Sequence, residues 1–180
     1  MRFGDPMLVI VTGTLVVFAA AGCTGDADKG RSKDALLNTP HESAVLPPKK
    51  ANLPDRPDGA GPIDEDAPDE FKATPSGLYY RILRKGGRHK PHSYDLVLAH
   101  YRGWLNNGTQ FDSSYDRGEP TKFRLNEVVP GWTEGLQLIG EGGMIELEIP
   151  PRLGYGAHGK PPSVPPNSTL HFIVELQKIE

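Results

Sequence analysis

The stretch Val128-Val129-Pro130-Gly131-Trp132-Thr133-Glu134-Gly135-Leu136 separates two regions of strand-like sequence and decides how the C-terminal part of the chain folds. A proline at the first position of a helix loses no hydrogen bond, and a glycine lets the backbone turn sharply. Pro130 and Gly131 therefore predict the start of a helix. Trp132, Leu136 and Ile139 follow at i, i+4 and i+7 and form one apolar stripe. We expect a short helix that places the Trp132 indole either in ordinary core or on the floor of a pocket.

Segments on either side of this helix alternate between apolar and polar residues with a period of two, which is typical of half-buried strands. These segments cover residues 78–82, 97–103, 144–149 and 170–176, with shorter candidates at 110–112 and 121–125. Short turns rich in Gly, Asn and Pro connect them, and short connections favour antiparallel pairing. The sequence therefore predicts an α+β domain over residues 75–180, with an antiparallel sheet wrapped around one helix.

The composition excludes several classes of protein. The chain has 180 residues, a net charge of −3 and scattered Lys and Arg, so no nucleic-acid-binding surface is expected. Its single cysteine, Cys23, rules out an intramolecular disulfide and a cysteine-rich metal site. A histidine metal site is an alternative, but His89 and His92 stand beside glycines and a proline in a predicted turn without a carboxylate partner. We therefore expect neither a metal nor another cofactor.

The N-terminus carries the features of an export signal. One basic residue, Arg2, precedes an apolar run over residues 7–21, which is shorter than the roughly 20 residues of a transmembrane helix. Small residues at 20–22 lie directly before Cys23. This pattern resembles the bacterial lipobox, whose cysteine is lipidated and becomes the mature N-terminus. We predict a lipoprotein signal peptide over residues 1–22 and a membrane anchor at a lipidated Cys23. An ordinary cleaved signal peptide and an uncleaved anchor are the alternatives.

Residues 23–74 are predicted to form a flexible, Pro-rich tether. Prolines interrupt this segment repeatedly, and only Leu36-Leu37 and Val45-Leu46 offer apolar pairs, too few to offset the entropy of ordering it. The predicted location is the bacterial cell envelope, outside the cytoplasm, with the folded domain tethered to a membrane. By resemblance to Gram-negative lipoproteins, Thr24 rather than Asp after the cysteine implies sorting to the periplasmic face of the outer membrane, if the cell is Gram-negative.

Five motifs follow one another between residues 101 and 172. They are Tyr101-x-Gly103-x-Leu105, Phe111-Asp112-Ser113-Ser114, Val128-Val129-x-Gly131-Trp132-x-Glu134-Gly135, Ile149-Pro150-x-x-x-Gly154-Tyr155-Gly156 and Val164-Pro165-Pro166-Asn167-Ser168-Thr169-Leu170-x-Phe172. In this order and spacing they resemble FKBP-type peptidyl-prolyl cis-trans isomerases, and the resemblance covers residues 74–180. Ser76-Gly77-Leu78-x-Tyr80 is also similar to the opening of bacterial, envelope-located members. The resemblance implies an FKBP-like, strongly twisted antiparallel sheet of about five strands around one short helix.

The resemblance also implies an enzyme that rotates X-Pro peptide bonds in an apolar aromatic pocket and so assists the folding of exported proteins. Catalytic positions fall on Tyr101, Asp112 and Tyr155. Substrate-binding positions fall on Phe111, Phe123, Val128, Val129, Trp132, Val164 and Phe172. By the same resemblance, Trp132 lies under the proline ring, while the Tyr155 hydroxyl and the Val129 N–H bind substrate carbonyls. The implied partners are proline-containing unfolded or exported proteins and macrolide immunosuppressants.

Two positions differ from the commoner family pattern. Thr121 replaces an aromatic residue that often reaches the pocket, which is expected to weaken contact with substrates and macrolides, and Lys160 stands in a loop where histidine is frequent. Each site residue also has an ordinary structural role open to it, such as a turn for Tyr155 or a helix cap for Asp112. A different class of function stays open as well: a peptide-binding chaperone module that has the fold but little or no isomerase turnover.

Overall fold

The structure is a computed structural model that describes residues 49–50 and 56–180. The predicted signal peptide, the predicted lipidation site Cys23 and the tether up to residue 48 lie outside the described residues, as do residues 51–55. In the described part of the chain, no helix is both long enough and apolar enough to cross a membrane.

One antiparallel sheet contains all the described strands. The strands are β1 (Lys49–Lys50), β2 (Glu70–Ala73), β3 (Tyr79–Arg84), β4 (Leu96–Leu105), β5 (Gln110–Ser113), β6 (Thr121–Arg124), β7 (Met144–Ile149) and β8 (Leu170–Ile179). Their order in the sheet is β1-β2-β3-β7-β8-β4-β5, and β6 also pairs with β4. Two short α-helices, α1 (Ser114–Arg117) and α2 (Pro130–Leu136), and two 3-10 turns (Leu125–Glu127 and Pro151–Leu153) complete the fold.

The predicted antiparallel sheet around a short helix is confirmed, although the sheet has eight strands rather than about five. Two of the additional strands, β1 and β2, come from the segment predicted as a tether. The other six strands correspond to the six segments with a strand-like pattern, and β5 and β6 pair with the two halves of β4. A pair of strands as short as β5 and β6 is weakly marked in a sequence, since four residues give only two alternations.

Helix α2 lies against the sheet and closes the core. Trp132 is 4% exposed and Leu136 is fully buried, so the predicted apolar stripe faces the core. The two glycines of α2 explain how close the helix comes to β7. A Cβ on Gly131 would lie 2.6 Å from the Ile149 side chain, and one on Gly135 would lie 2.7 Å from the Leu147 side chain. Larger residues at either position would push α2, and with it Trp132, away from the sheet.

The opposite face of the sheet is covered by residues 56–73, which we name the N-terminal strap. Arg81, which the alternating pattern places on the polar face of β3, is only 4% exposed and donates to Glu146 at 2.7 and 3.0 Å. Phe71 of the strap is 3% exposed, and the Arg81 guanidinium lies 5.9 Å from its ring centre. The face expected to meet solvent is therefore buried under the strap, and its buried charges are paired.

Hydrogen bonds hold the rest of the strap to the edge of the sheet. Asp64 N–H donates to the Leu83 carbonyl at 2.8 Å, and the Asp64 carboxylate accepts from Lys85 N–H at 3.0 Å. Arg84 donates to the Pro62 carbonyl at 2.7 Å and forms an ion pair with Glu175. These contacts precede the predicted domain start at residue 75, and they use backbone groups and one aromatic ring rather than an apolar run. A flexible tether before the strap stays a prediction.

Candidate functional site

A cavity of about 510 Å³ opens between α2, the strands β4, β5, β6 and β8, and the loop that follows β7. Its lining contains Tyr101, Phe111, Asp112, Phe123, Glu127, Val128, Val129, Trp132, Tyr155, Lys160, Ser163, Val164 and Phe172. The structure thus brings all ten predicted site residues of the domain to one cavity. Glu127 and Ser163 were not predicted from the sequence, because neither belongs to an apolar or motif position.

The floor of the cavity is aromatic. The Trp132 ring centre lies 5.2 Å from those of Tyr101, Phe123 and Phe172, and all three rings meet it edge-on. These partners come from β4, β6 and β8, so the floor is assembled by strands that are distant in sequence. Edge-on aromatic packing is a favourable arrangement, and it fixes the Trp132 plane as a rigid apolar surface.

A single glycine makes room for the aromatic wall beside this floor. Phe111 and Phe172 meet edge-on with ring centres 5.4 Å apart. A Cβ on Gly103 would lie 2.6 Å from the Phe172 ring and 2.7 Å from the Phe111 ring. Gly103 therefore has to lack a side chain for both rings to reach the cavity, which gives a physical reason for the glycine two residues after Tyr101.

At the rim, Tyr101, Asp112 and Arg117 form a closed triangle of hydrogen bonds. The Tyr101 hydroxyl donates to one Asp112 oxygen at 2.6 Å, and Arg117 donates to the other oxygen at 2.6 Å and to the Tyr101 hydroxyl at 2.7 Å. Arg117 comes back toward Asp112 because α1 starts at its N-cap Ser113, whose hydroxyl accepts from Asp116 N–H at 3.2 Å. Arg117 is not among the predicted site residues, and the only sequence signal for it is a serine cap followed by an arginine in the last turn of α1.

The triangle keeps the same charges over the neutral pH range. Burial raises the pKa of Tyr101 to about 12, and the hydrogen bond to Asp112 acts in the same direction. Burial alone would raise the pKa of Asp112, but the hydrogen bonds from Tyr101 and Arg117, with the charges of Arg117 and Lys160, outweigh it and lower that pKa. The phenol is thus neutral and the carboxylate ionised near pH 7, so neither group is suited to proton transfer there.

Several hydrogen-bond donors at the cavity stay unused within the described chain, among them the buried Trp132 indole N–H. The Tyr155 hydroxyl and the Val129 N–H have no acceptor among residues 56–180. Val129 is the N-cap residue of α2, whose first N–H groups have no partner inside the helix. Both groups line the cavity, so both are available to carbonyl oxygens of a bound peptide.

The loop between β7 and β8 carries the remaining wall. Lys160 and Val164 exchange two backbone hydrogen bonds of 2.8 and 2.9 Å, and Val164 is only 1% exposed. The Lys160 ammonium lies 5.5 Å from the centre of the Tyr155 ring.

Thr121, predicted to stand in place of a pocket aromatic, does not line the cavity. Its hydroxyl accepts a hydrogen bond from the Arg117 side chain at 3.3 Å.

The fold and the aromatic cavity define a protein of the FKBP class. The model of the family described as FKBP-type peptidyl-prolyl cis-trans isomerase matches residues 87–177, about half of the chain, and the chain belongs to this family. The FkpA isomerases of Aeromonas hydrophila and Escherichia coli are each 50% identical to it over 109 residues. The FKBP-type 22 kDa peptidyl-prolyl cis-trans isomerase of E. coli is 46% identical over 123 residues.

Solved structures agree with this assignment. The crystal structure of FkpA from E. coli shares 49% sequence identity with a TM-score of 0.59, covering 61% of this chain and 51% of that one. The crystal structure of AtFKBP13 shares 37% identity with a TM-score of 0.56, covering 61% of this chain and 98% of that one. The chain spans 40% of the length of the two FkpA proteins and 60% of the 22 kDa isomerase.

Proposed function

We propose that the protein catalyses cis-trans isomerisation of X-Pro peptide bonds in exported, incompletely folded proteins. The observation that carries this proposal is the rigid Trp132 floor with two unused donors, the Tyr155 hydroxyl and the Val129 N–H, at the same cavity. A proline ring suits the apolar floor, and the carbonyls on either side of it suit the donors. Among the described residues that line the cavity there is no histidine.

The geometry fits a reaction in which no bond is made or broken. Rotation about an X-Pro amide has a barrier of about 18–20 kcal/mol, because twisting destroys the amide resonance. The twisted amide has less charge separation than the planar one, so a dry apolar surface binds it more favourably than the planar form. Trp132 supplies that surface, and the two donors hold the flanking carbonyls while the amide turns. The triangle of Tyr101, Asp112 and Arg117 then fixes the rim of the cavity.

A protease-coupled assay on a short X-Pro peptide tests the proposal. The purified protein should accelerate the cis-to-trans step, and Trp132→Leu should lower kcat/KM by more than tenfold while the protein stays folded. Tyr155→Phe removes one hydrogen bond worth about 0.5–1.5 kcal/mol, so kcat/KM should fall about two- to tenfold. Suppression of aggregation without acceleration of the peptide, in the folded protein, would favour the chaperone module instead.

We also propose that the protein acts outside the cytoplasm, anchored to a membrane by lipid at Cys23. Small residues before the lone cysteine support the anchor, and the proline-rich composition before residue 56 supports a flexible tether. Cys23→Ser should release the protein from the membrane fraction. A Cys23→Ser protein that still sediments with membranes would favour an uncleaved apolar anchor.

The aromatic floor also suits a macrolide ligand, which should compete with the peptide substrate for the cavity.

A further inference from the structure

The wall formed by the β7–β8 loop places a positive charge at the cavity. Lys160 lines the cavity, its side chain is exposed, and its ammonium stands 5.5 Å from the Tyr155 ring centre. Its backbone is held by the two hydrogen bonds to the buried Val164, so the side chain starts from a fixed point. The charge is therefore part of the cavity rather than of a loose surface loop.

The other charges around the cavity are already paired, and Lys160 is not. Asp112 and Arg117 form an ion pair at 2.6 Å, and Glu127, which also lines the cavity, lies 3.8 Å from Arg124. Within residues 56–180, Lys160 forms no ion pair with a carboxylate. Its charge reaches Asp112 only at longer range, where it contributes to the lowered pKa of that carboxyl. A bound ligand can thus supply the carboxylate that Lys160 lacks.

The position of Lys160 limits where that carboxylate can be. The Tyr155 hydroxyl is the donor proposed to hold a carbonyl next to the proline, and the ammonium stands above the same ring. One extended residue spans about 3.3–3.6 Å, so the ammonium reaches the side chain of a residue directly beside the proline. On this basis, and resting on the proposed isomerase function, we propose that Lys160 makes the enzyme prefer client segments with Glu or Asp adjacent to the proline.

Matched peptides test the preference directly. Pairs that differ only by Glu or Gln, placed immediately before or immediately after the proline, have the same size and differ in one charge. The wild-type protein at low ionic strength should give a higher kcat/KM for Glu in at least one of these positions, by about two- to fivefold, as for an exposed ion pair. The Glu/Gln ratio should fall toward one in 0.5 M salt, because exposed charges are screened.

Variants separate the charge of Lys160 from its packing. Lys160→Met should bring the ratio to about one, and Lys160→Glu should bring it below one. Arg88→Glu is the control, because it changes the net charge as much as Lys160→Glu does, while Arg88 is exposed and does not line the cavity. It should leave the ratio as in the wild type. A Lys160 that only stabilised its loop would change kcat/KM for both peptides equally.

The outcomes distinguish this inference from the proposed function. If wild-type protein turns over the Gln peptides and the ratio is one at both positions, the preference is refuted while the isomerase function stands. A ratio that survives Lys160→Met, or changes equally in Arg88→Glu, also refutes it. If no peptide is turned over, the proposed function fails and the inference fails with it.

Discussion

Replacing Phe71 by alanine tests whether the N-terminal strap belongs to the folding unit. Phe71 lies on β2, is 3% exposed, and sits beside the Arg81 guanidinium, which is itself buried with Glu146. Alanine would remove the ring that covers this ion pair, and it would leave the strand pairing of Lys72 and Ala73 with β3 in place. The change therefore probes side-chain packing on the outer face of the sheet.

The structure sets the size of the effect. Burying a phenylalanine side chain contributes about 1.5–3 kcal/mol, and Phe→Ala substitutions in cores cost about 3–5 kcal/mol when a cavity stays behind. The strap is a single layer and can partly collapse into the space, so we expect a loss of about 2–4 kcal/mol in the free energy of unfolding. The face concerned is the one opposite α2, so kcat/KM of the folded variant should stay within about twofold of the wild type.

Denaturant unfolding followed by circular dichroism measures the loss. Lys72→Ala is the matched control, because its side chain is exposed on the same strand, and it should change the free energy of unfolding by no more than about 0.5 kcal/mol. If Phe71→Ala were no more destabilising than Lys72→Ala, the strap would not be packed on the sheet in solution. The folded domain would then begin nearer residue 75, where the period-two alternation begins in the sequence.

Two further measurements examine the cavity. Gly103→Ala should push the Phe111 and Phe172 rings out of place, because its Cβ would lie 2.6–2.7 Å from both rings. We expect kcat/KM to fall by about tenfold or more. An unchanged kcat/KM in the folded variant would contradict the close approach of the rings to Gly103. Between about pH 6 and 8, kcat/KM should be nearly flat, because the pKa of Tyr101 is raised to about 12 and that of Asp112 is lowered. Since the folded pKa of Asp112 lies below its unfolded value, its contribution to stability is complete at neutral pH and is lost only as the pH falls through the acid range. A bell-shaped profile centred near pH 7 would show that another group transfers a proton.

The sequence predicts the fold where residues alternate over long stretches. Strands β4 and β8 have ten residues each, and Trp132 and Leu136, four residues apart, mark α2, although Ile139 lies beyond its end. The central pairing and the helix therefore follow from periodicity and turn chemistry. The set of pocket residues is what the resemblance of the five motifs to the FKBP family implies, rather than a result of periodicity. The roles of these residues are predictions that the experiments above test.

Other features depend on contacts between segments that no local pattern marks. Arg81 has the sequence character of a solvent-facing residue, and its burial becomes possible only because Glu146 and Phe71 arrive from other strands. Arg117 reaches Tyr101 through one turn of helix, which is too short to give a periodic signal. Prolines and charges dominate the strap and predict a tether, while its attachment uses its own backbone groups: Asp64 N–H donates to the Leu83 carbonyl, and the Pro62 carbonyl accepts from the Arg84 side chain.

The two tryptophans of the chain lie on opposite faces of one sheet and form two spectroscopic reporters. Trp132 forms the cavity floor, whereas Trp104 is 7% exposed in a separate cluster against which Ala60 of the strap packs, with its ring stacked 5.7 Å from His171. Ligand binding should change the fluorescence of Trp132, and release of the strap should change that of Trp104. In a Trp104→Phe variant, the fluorescence of the remaining Trp132 would therefore report ligand binding at the cavity. In a Trp132→Phe variant, the fluorescence of Trp104 would report detachment of the strap without an added label.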